Sequence, residues 1–164
     1  MGKFLAFIMG IAGALGLSQA PSFTNQYMQN LTGRIDELKP LVEQFDERVQ
    51  EAGYTRAAAM TECAGSDGLL NALCKTYEEA VRRYELLVTH KAEIVDENAY
   101  VQPLMAAKGV QKDIAESVWS EFKPSVPATT VGAAYGGGGF VGFWAIGRML
   151  FGLLGAPFRR NRYA

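Results

Sequence analysis

The chain has 164 residues, of which 49% are hydrophobic, and a formal net charge of −1, a composition typical of one ordinary domain. The charge is spread unevenly. Residues 34–123 contain all 17 acidic residues and 11 of the 16 basic residues, a net charge of −6, whereas both ends are apolar and carry only basic charge. An acidic middle segment without a basic, aromatic-rich patch excludes a nucleic-acid-binding protein.

The first apolar segment, residues 4–17, has two interpretations. Ser18 and Ala20 occupy the small-residue positions of a signal-peptidase site, so the segment fits a cleaved signal peptide. However, Pro21 would directly follow the cut, where signal peptidases work poorly. With its flanking residues the segment approaches the ~20 residues needed to cross a bilayer. We therefore predict a retained transmembrane helix over residues 1–20.

The next segment predicts a long helix from Ser22 to Ala52. Its apolar residues recur in steps of three and four, the pattern of a coiled-coil seam or a helical hairpin. The seam residues are Met28, Leu31, Ile35, Leu38, Val42, Phe45 and Val49. A helix of this length projects more than about 40 Å. Pro40 lies inside it and predicts a kink.

The chain has two cysteines, Cys63 and Cys74, which flank the turn-like sequence Ala-Gly-Ser-Asp-Gly. In an oxidising compartment we expect them to form a disulfide, which would contribute roughly 3 kcal/mol by constraining the unfolded chain. The alternative is a pair of buried free thiols. A zinc site is not expected, because the single histidine, His90, is distant in sequence from both cysteines. We expect His90 to be a surface or packed residue.

Three more helices are predicted in the middle segment. A short helix over residues 56–63 precedes the turn, and a long helix runs from Asp67, its N-cap, to about Glu97. An amphipathic helix follows over residues 110–122. Because the two long helices can run back against each other, residues 21–128 are expected to form a helical hairpin domain.

The second apolar segment, residues 129–158, predicts a C-terminal transmembrane helix, with Arg148 near its far interface. Residues 159–164 form a basic tail. Under the positive-inside rule this tail and Lys3 place both termini in the cytoplasm and the middle domain in the periplasm. The residues expected to anchor the cytoplasmic side are Arg148, Arg159, Arg160 and Arg162.

Small residues recur at a spacing of four in both apolar segments, and residues 136–139 are four consecutive glycines. This spacing allows two helix backbones to approach closely in a membrane. The matching pairs are Ala6 with Gly10, Ala12 with Gly16, Gly132 with Gly136, and Gly138 with Gly142. The glycines are compatible with packing of the two spans on each other, with a docking face for another membrane protein, or with a hinge.

The chain resembles a family of bacterial inner-membrane proteins catalogued as domain of unknown function 2937. The resemblance rests on Gln19, Pro21, Phe23, Tyr27, Gln29 and Phe45, on the pair Arg83-Tyr84 with Leu87, and on Val126-Pro127 before the apolar C-terminal segment. Ser22 stands where the family pattern has glycine. The resemblance implies the same two-span architecture and supplies no activity.

The predicted fold is an all-α membrane protein in which two transmembrane helices flank a periplasmic, coiled-coil-like helical hairpin. No catalytic triad, metal-ligand cluster or phosphate-binding loop is visible, so we expect no enzyme and no cofactor. We expect a non-enzymatic accessory, assembly or scaffolding subunit of a bacterial inner-membrane complex, with the lipid bilayer and another inner-membrane protein as partners. The alternative is a scaffold or envelope sensor that forms homo-oligomers through the seam.

Overall fold

The computed structural model describes residues 2–126 and 128–155, which form seven α-helices and no β-strand. This confirms the all-α prediction. The helices are α1 (Gly2–Leu17), α2 (Ala20–Glu51), α3 (Arg56–Ala64), α4 (Gly68–Val95), α5 (Gln102–Lys108), α6 (Lys112–Glu121) and α7 (Thr130–Gly155).

Helices α1 and α7 pack against each other in antiparallel orientation. The first turn of α1 lies beside the far end of α7, since a Cβ atom placed on Gly2 would be 3.1 Å from the Cβ of Phe151. The other end of α1 lies beside the start of α7, where a Cβ on Gly136 would be 3.3 Å from the Cβ of Ser18. The two apolar ends of the chain therefore form one helical pair.

Helices α2 and α4 form the antiparallel hairpin that the sequence predicts. Tyr27 lies against His90 near one end, and Tyr77 donates a hydrogen bond of 3.3 Å to the carbonyl of Val42 towards the other. We call the end that carries the α1–α2 junction the base, and the end that carries α3 the tip. At about 1.5 Å per residue, the 32 residues of α2 extend about 48 Å.

The hydrophobic core of the hairpin lies at its base, where α5 and α6 cover α2 and α4. Its buried members are Tyr27, Leu31, Ile35, Leu87, Ile94, Ala106, Ile114 and Val118. Two of them, Leu31 and Ile35, belong to the predicted seam, so this part of the apolar stripe of α2 is buried inside this chain. Of the other seam residues, Val42 and Val49 are buried, and Met28, Leu38 and Phe45 are half-buried.

Local sequence explains where the helices begin and end. Only residues 18 and 19 separate α1 from α2, and Pro21 lies in the first turn of α2, where a missing amide proton is harmless. After α2, Gly53 adopts a φ of +81°, a conformation that glycine accepts without strain. Thr55 then caps α3 by accepting a hydrogen bond of 3.2 Å from the amide of Ala58.

The structure contains one helix that the sequence does not predict. Helix α5 was not predicted, because a helix of seven residues is too short to show a period and only Ala106 of it is buried. Helix α2 is continuous through Pro40, as the predicted helix from Ser22 to Ala52 requires. Asp67 is the N-cap of α4 as expected, although its side chain makes no capping hydrogen bond.

One helical stretch among the described residues is long and apolar enough to cross a membrane. It is Gly2–Glu51, α1 and α2 taken together, and its most apolar window of 18 residues has a mean hydropathy of 1.6. Large apolar side chains of α1 remain exposed, among them Phe4, Phe7, Ile11 and Leu15. Helix α7 likewise exposes Val141, Ile146 and Met149.

Candidate functional site

A buried polar cluster links three helices at the base of the hairpin. The backbone amide of Gln111 donates a hydrogen bond of 2.9 Å to the hydroxyl of Tyr27, and that hydroxyl lies 3.1 Å from Nε2 of His90. The side-chain carbonyl of Gln111 accepts a hydrogen bond of 2.9 Å from Arg83. We call Tyr27, His90, Gln111 and Arg83 the polar core.

The hydrogen bond between Tyr27 and His90 can form with either tautomer of the histidine, because the Tyr27 hydroxyl can donate its proton to Nε2 or accept a proton from it. In both tautomers the other ring nitrogen, Nδ1, is buried and has no hydrogen-bond partner among the described residues.

Gly109 lies directly against the ring of His90 in the polar core. A Cβ atom at this position would overlap Nδ1 of His90, so only glycine allows the chain between α5 and α6 to pass this close to the ring. Burial lowers the pKa of His90, and the negative charge of Glu93 opposes this only in part. Burial also raises the pKa of Tyr27. Both groups are therefore neutral near pH 7, and they act as a packed hydrogen-bonding pair.

Arg83 connects the polar core to the start of α6. Besides Gln111, its guanidinium binds the carboxylate of Asp113 at 2.6 Å. Burial alone would raise the pKa of Asp113, but the hydrogen bond and charge of Arg83 hold it below its ordinary value. Arg83 thereby ties α4 to α6, and the contact is partly exposed to solvent.

A cavity of about 360 Å³ opens beside the polar core, and we call it the base groove. Gly16, Gln19, Ala20 and Phe23 form one wall, at the junction of α1 and α2. The opposite wall comes from α5, α6 and the residues next to them: Pro103, Ala106, Ala107, Val110, Trp119 and Phe122. The ring of Phe23 lies 6.1 Å from that of Trp119 and 5.6 Å from that of Phe122.

Gln19 fixes the junction between the helical pair and the hairpin. Its side-chain amide donates to the carbonyl of Ser125 at 3.0 Å and accepts from the amide of Ser125 at 2.9 Å. Ser22 adds a hydrogen bond between its hydroxyl and that of Ser125. This pairing holds the segment that leaves α6 against the start of α2, shortly before α7 begins.

The tip of the hairpin contains the two cysteines, whose sulfur atoms are at disulfide distance, with Cα atoms 5.8 Å apart. Arg56 of α3 binds Asp46 of α2 and lies 3.2 Å from Glu85 of α4, so it joins three helices. Burial, followed by the nearby charge of Asp46, raises the pKa of Tyr77 to about 12. A second cavity of about 500 Å³ adjoins Cys63.

The α1–α7 contact uses only some of the small residues that the spacing selects. Ala6 lies against Gly147, Gly10 lies against Phe140 and Trp144, Gly136 faces Ser18, and Gly132 is buried. Two further glycines, Gly13 and Gly139, meet backbone to backbone. The remaining predicted residues, Ala12, Gly16, Gly138 and Gly142, are exposed, and the three glycines among them face open space.

The predicted anchor residues are described only in part. The guanidinium carbon of Arg148 lies 5.9 Å from the ring centroid of Trp144 on the exposed side of α7. Arg159, Arg160 and Arg162 lie outside the described residues. Among the described residues, no group of three or more His, Cys, Asp or Glu side chains could hold a metal ion.

Sequence reasoning did not identify Gln111, Gly109 or Ser125, although each makes a contact that shapes the site. The family pattern did select the partners of two of them. Tyr27 and Arg83 bind Gln111, and Gln19 binds Ser125. A family model described as Protein of unknown function (DUF2937) matches residues 1–160.

The chain belongs to this family. The match confirms the resemblance inferred from the residues around Gln19 and Arg83. Separate comparisons find no match among curated proteins and none among solved structures. Membership in DUF2937 therefore assigns no activity to this chain.

Proposed function

We propose that this DUF2937 protein is a two-span protein of the bacterial inner membrane that acts as a non-enzymatic accessory, assembly or scaffolding subunit of a membrane complex. In this proposal α1 and α7 lie in the bilayer, and the hairpin projects into the periplasm. The observation that carries it is the antiparallel α1–α7 pair, which packs glycines of one helix closely against the other and exposes large apolar side chains such as Phe4, Val141 and Met149.

The length and charge of the helical pair support a membrane location. Helix α7 has 26 residues, more than the ~20 that a span requires, and α1 continues into α2 after only two residues. The described part of the pair contains two charged residues, Lys3 in the first turn of α1 and Arg148 late in α7. Because α1 and α7 are antiparallel, both charges lie towards the same end of the pair.

The disulfide-distance cysteines support a periplasmic hairpin, because disulfides persist in oxidising compartments. The basic ends of the sequence point the same way, since positive residues are retained on the cytoplasmic side.

Exposed apolar side chains at the tip support a role in protein contacts. Leu69, Leu70 and Leu73, which we call the tip surface, are 76%, 57% and 58% exposed. All three lie in the first turns of α4, and Leu70 lines the cavity next to Cys63. Clustered exposed leucines on a domain in water are typical of a surface that a partner covers. Gly138 and Gly142 leave a second open face on α7, which favours docking of another membrane helix.

The alternative of a self-assembling scaffold requires a free seam on α2. Leu31 and Ile35 are buried against α4, α5 and α6 of the same chain, so the seam lacks the exposed face that a coiled coil between copies would need. We therefore retain the accessory-subunit proposal.

Purification of the full chain in mild detergent tests the proposal. We expect a stoichiometric partner to co-purify, and we expect the double variant Leu69→Ser, Leu73→Ser to lose it. The matched control is Leu41→Ser with Leu86→Ser, since these leucines are exposed on α2 and α4 of the hairpin but do not belong to the tip surface. A monodisperse monomer without partners, or loss of the partner in both double variants, would contradict the proposal.

A further inference from the structure

The surface of the base groove is mainly apolar, although three polar residues line it. Each of these three side chains already makes a hydrogen bond inside the protein. Gln19 pairs with the backbone of Ser125, the hydroxyl of Thr24 donates to the carbonyl of Ala20 at 2.9 Å, and the hydroxyl of Tyr27 belongs to the polar core. None of the described residues that line the groove is charged. An occupant therefore finds mainly apolar contacts and no charged partner among these side chains.

This chemistry disfavours an extended peptide as the natural occupant. Such a peptide would bring backbone N–H and C=O groups into a groove that offers them few partners, and leaving these groups buried without partners costs on the order of 1–3 kcal/mol each. A chain of methylene groups has no such requirement, and its burial is favourable in proportion to the apolar area that it removes from water.

The position of the groove indicates where such a chain comes from. Gly16 belongs to α1 and lines the groove, and the neighbouring Leu15 is 64% exposed. The apolar exterior of α1 is thus continuous with the interior of the groove. Trp119, which also lines the groove, is 72% exposed. An indole with this exposure is typical of the membrane interface, where its ring lies between chains and headgroups.

We propose that the base groove binds an acyl chain of a phospholipid from the leaflet on the hairpin side of the membrane. This inference rests on the proposed membrane location of α1 and α7. A volume of about 360 Å³ lies within the usual range of ligand pockets, about 300–1,000 Å³. The bound chain lies between Phe23 and the wall formed by α5, next to Trp119. It joins the membrane to the core of the hairpin, so lipid stabilises the base of the domain.

Tryptophan fluorescence in vesicles tests this assignment, because bromine atoms on acyl chains quench tryptophans that touch them. The sequence contains two tryptophans, Trp119 at the groove and Trp144 on α7. The variant Trp144→Phe reports on the groove alone, and Trp119→Phe reports on the span alone. Each is reconstituted as the full chain in phosphatidylethanolamine and phosphatidylglycerol vesicles, with and without acyl-brominated phospholipid.

A blocking substitution separates a chain in the groove from general contact with the bilayer. Ala107 lines the groove and is exposed, so Ala107→Phe fills the groove from its edge with little effect on folding. Ala92→Phe is the matched control, because Ala92 is exposed on α4 and does not line the groove. If circular dichroism shows that Ala107→Phe is unfolded, the smaller Ala107→Leu replaces it.

We expect bromolipid to quench Trp119, Ala107→Phe to remove most of that quenching, and Ala92→Phe to leave it unchanged. Equal quenching of Trp119 with and without the blocking substitution overturns the inference, since Trp119 then touches only bulk lipid. Quenching of Trp144 without quenching of Trp119 also overturns it and leaves the membrane location intact. If neither tryptophan is quenched, the membrane location fails, and the lipid site fails with it.

Discussion

Replacing Tyr27 with phenylalanine removes one hydroxyl group from the polar core without changing the shape of the ring. Two groups lose their partner: the backbone amide of Gln111, which donates to the hydroxyl at 2.9 Å, and Nε2 of His90 at 3.1 Å. Tyr27 and His90 are almost fully buried, so water cannot replace the hydroxyl without opening the core. Each unsatisfied buried group costs about 1–3 kcal/mol, so the substitution should cost about 2 kcal/mol or more.

The assay is thermal unfolding of the full chain in detergent, followed by circular dichroism. For a chain of this length, 1 kcal/mol corresponds to about 2–4 °C, so the Tm of Tyr27→Phe should fall by about 4–8 °C. Tyr54→Phe is the matched control, because Tyr54 is exposed and its hydroxyl can bond to water; its Tm should change little. If the two variants lose the same amount, the polar core does not stabilise the base.

Three further predictions concern the packing of the base and of the helical pair. Gly109→Ala should destabilise the protein in the same assay, because the added methyl group would overlap the ring of His90. The control Gly33→Ala lies on an exposed helix face with open space around it and should be neutral or stabilising by about 0.5–1 kcal/mol. A neutral Gly109→Ala would contradict the described contact. The free energy of unfolding should decrease as the pH falls below the ordinary histidine pKa of 6.5, because burial lowers the pKa of His90 in the folded state and the unfolded chain binds the proton first. The decrease should continue until the pH has passed the lower pKa of the folded state. His90→Gln should flatten the profile between pH 6.5 and the range where carboxylates titrate, and an unchanged slope in that variant would mean that another group causes the effect. Gly139→Leu should separate α1 from α7 and lower the Tm in detergent, because the new leucine side chain would collide with the backbone of α1. Gly137 faces open space, so the control Gly137→Leu should leave the Tm nearly unchanged. Equal effects of the two variants would place the contact on another face of α7.

The long helices were predictable because their apolar residues repeat every three or four positions over many turns. Leu31 and Ile35 illustrate this, since they lie in the stripe and in the core. Helix α5 was not predictable, because a helix of seven residues with one buried side chain carries no period. The bounds of α2 and α4 were predicted to within about two residues, since glycine, proline and capping residues mark their ends.

The contacts of the site could not be read from local sequence. Tyr27 meets His90 and Gln111 across separations of 63 and 84 residues, and no short motif encodes such a meeting. In α7 the spacing of four selected Gly132 with Gly136 and Gly138 with Gly142; Gly136 faces Ser18, but Gly138 and Gly142 face open space. The contact with α1 also uses Gly139 and Gly147, which are eight residues apart, so only the tertiary arrangement of the pair decides which face is buried.

Membrane topology is the central claim, and thiol labelling in intact bacterial cells tests it most directly. The native cysteines are at disulfide distance, so a single new cysteine provides the reactive group. Glu47→Cys lies on the exposed face of the hairpin, and Lys3→Cys lies at the start of α1. A membrane-impermeant maleimide should label Glu47→Cys in intact cells and Lys3→Cys only after lysis. Labelling of Lys3→Cys in intact cells, or of Glu47→Cys only after lysis, would contradict the proposed arrangement.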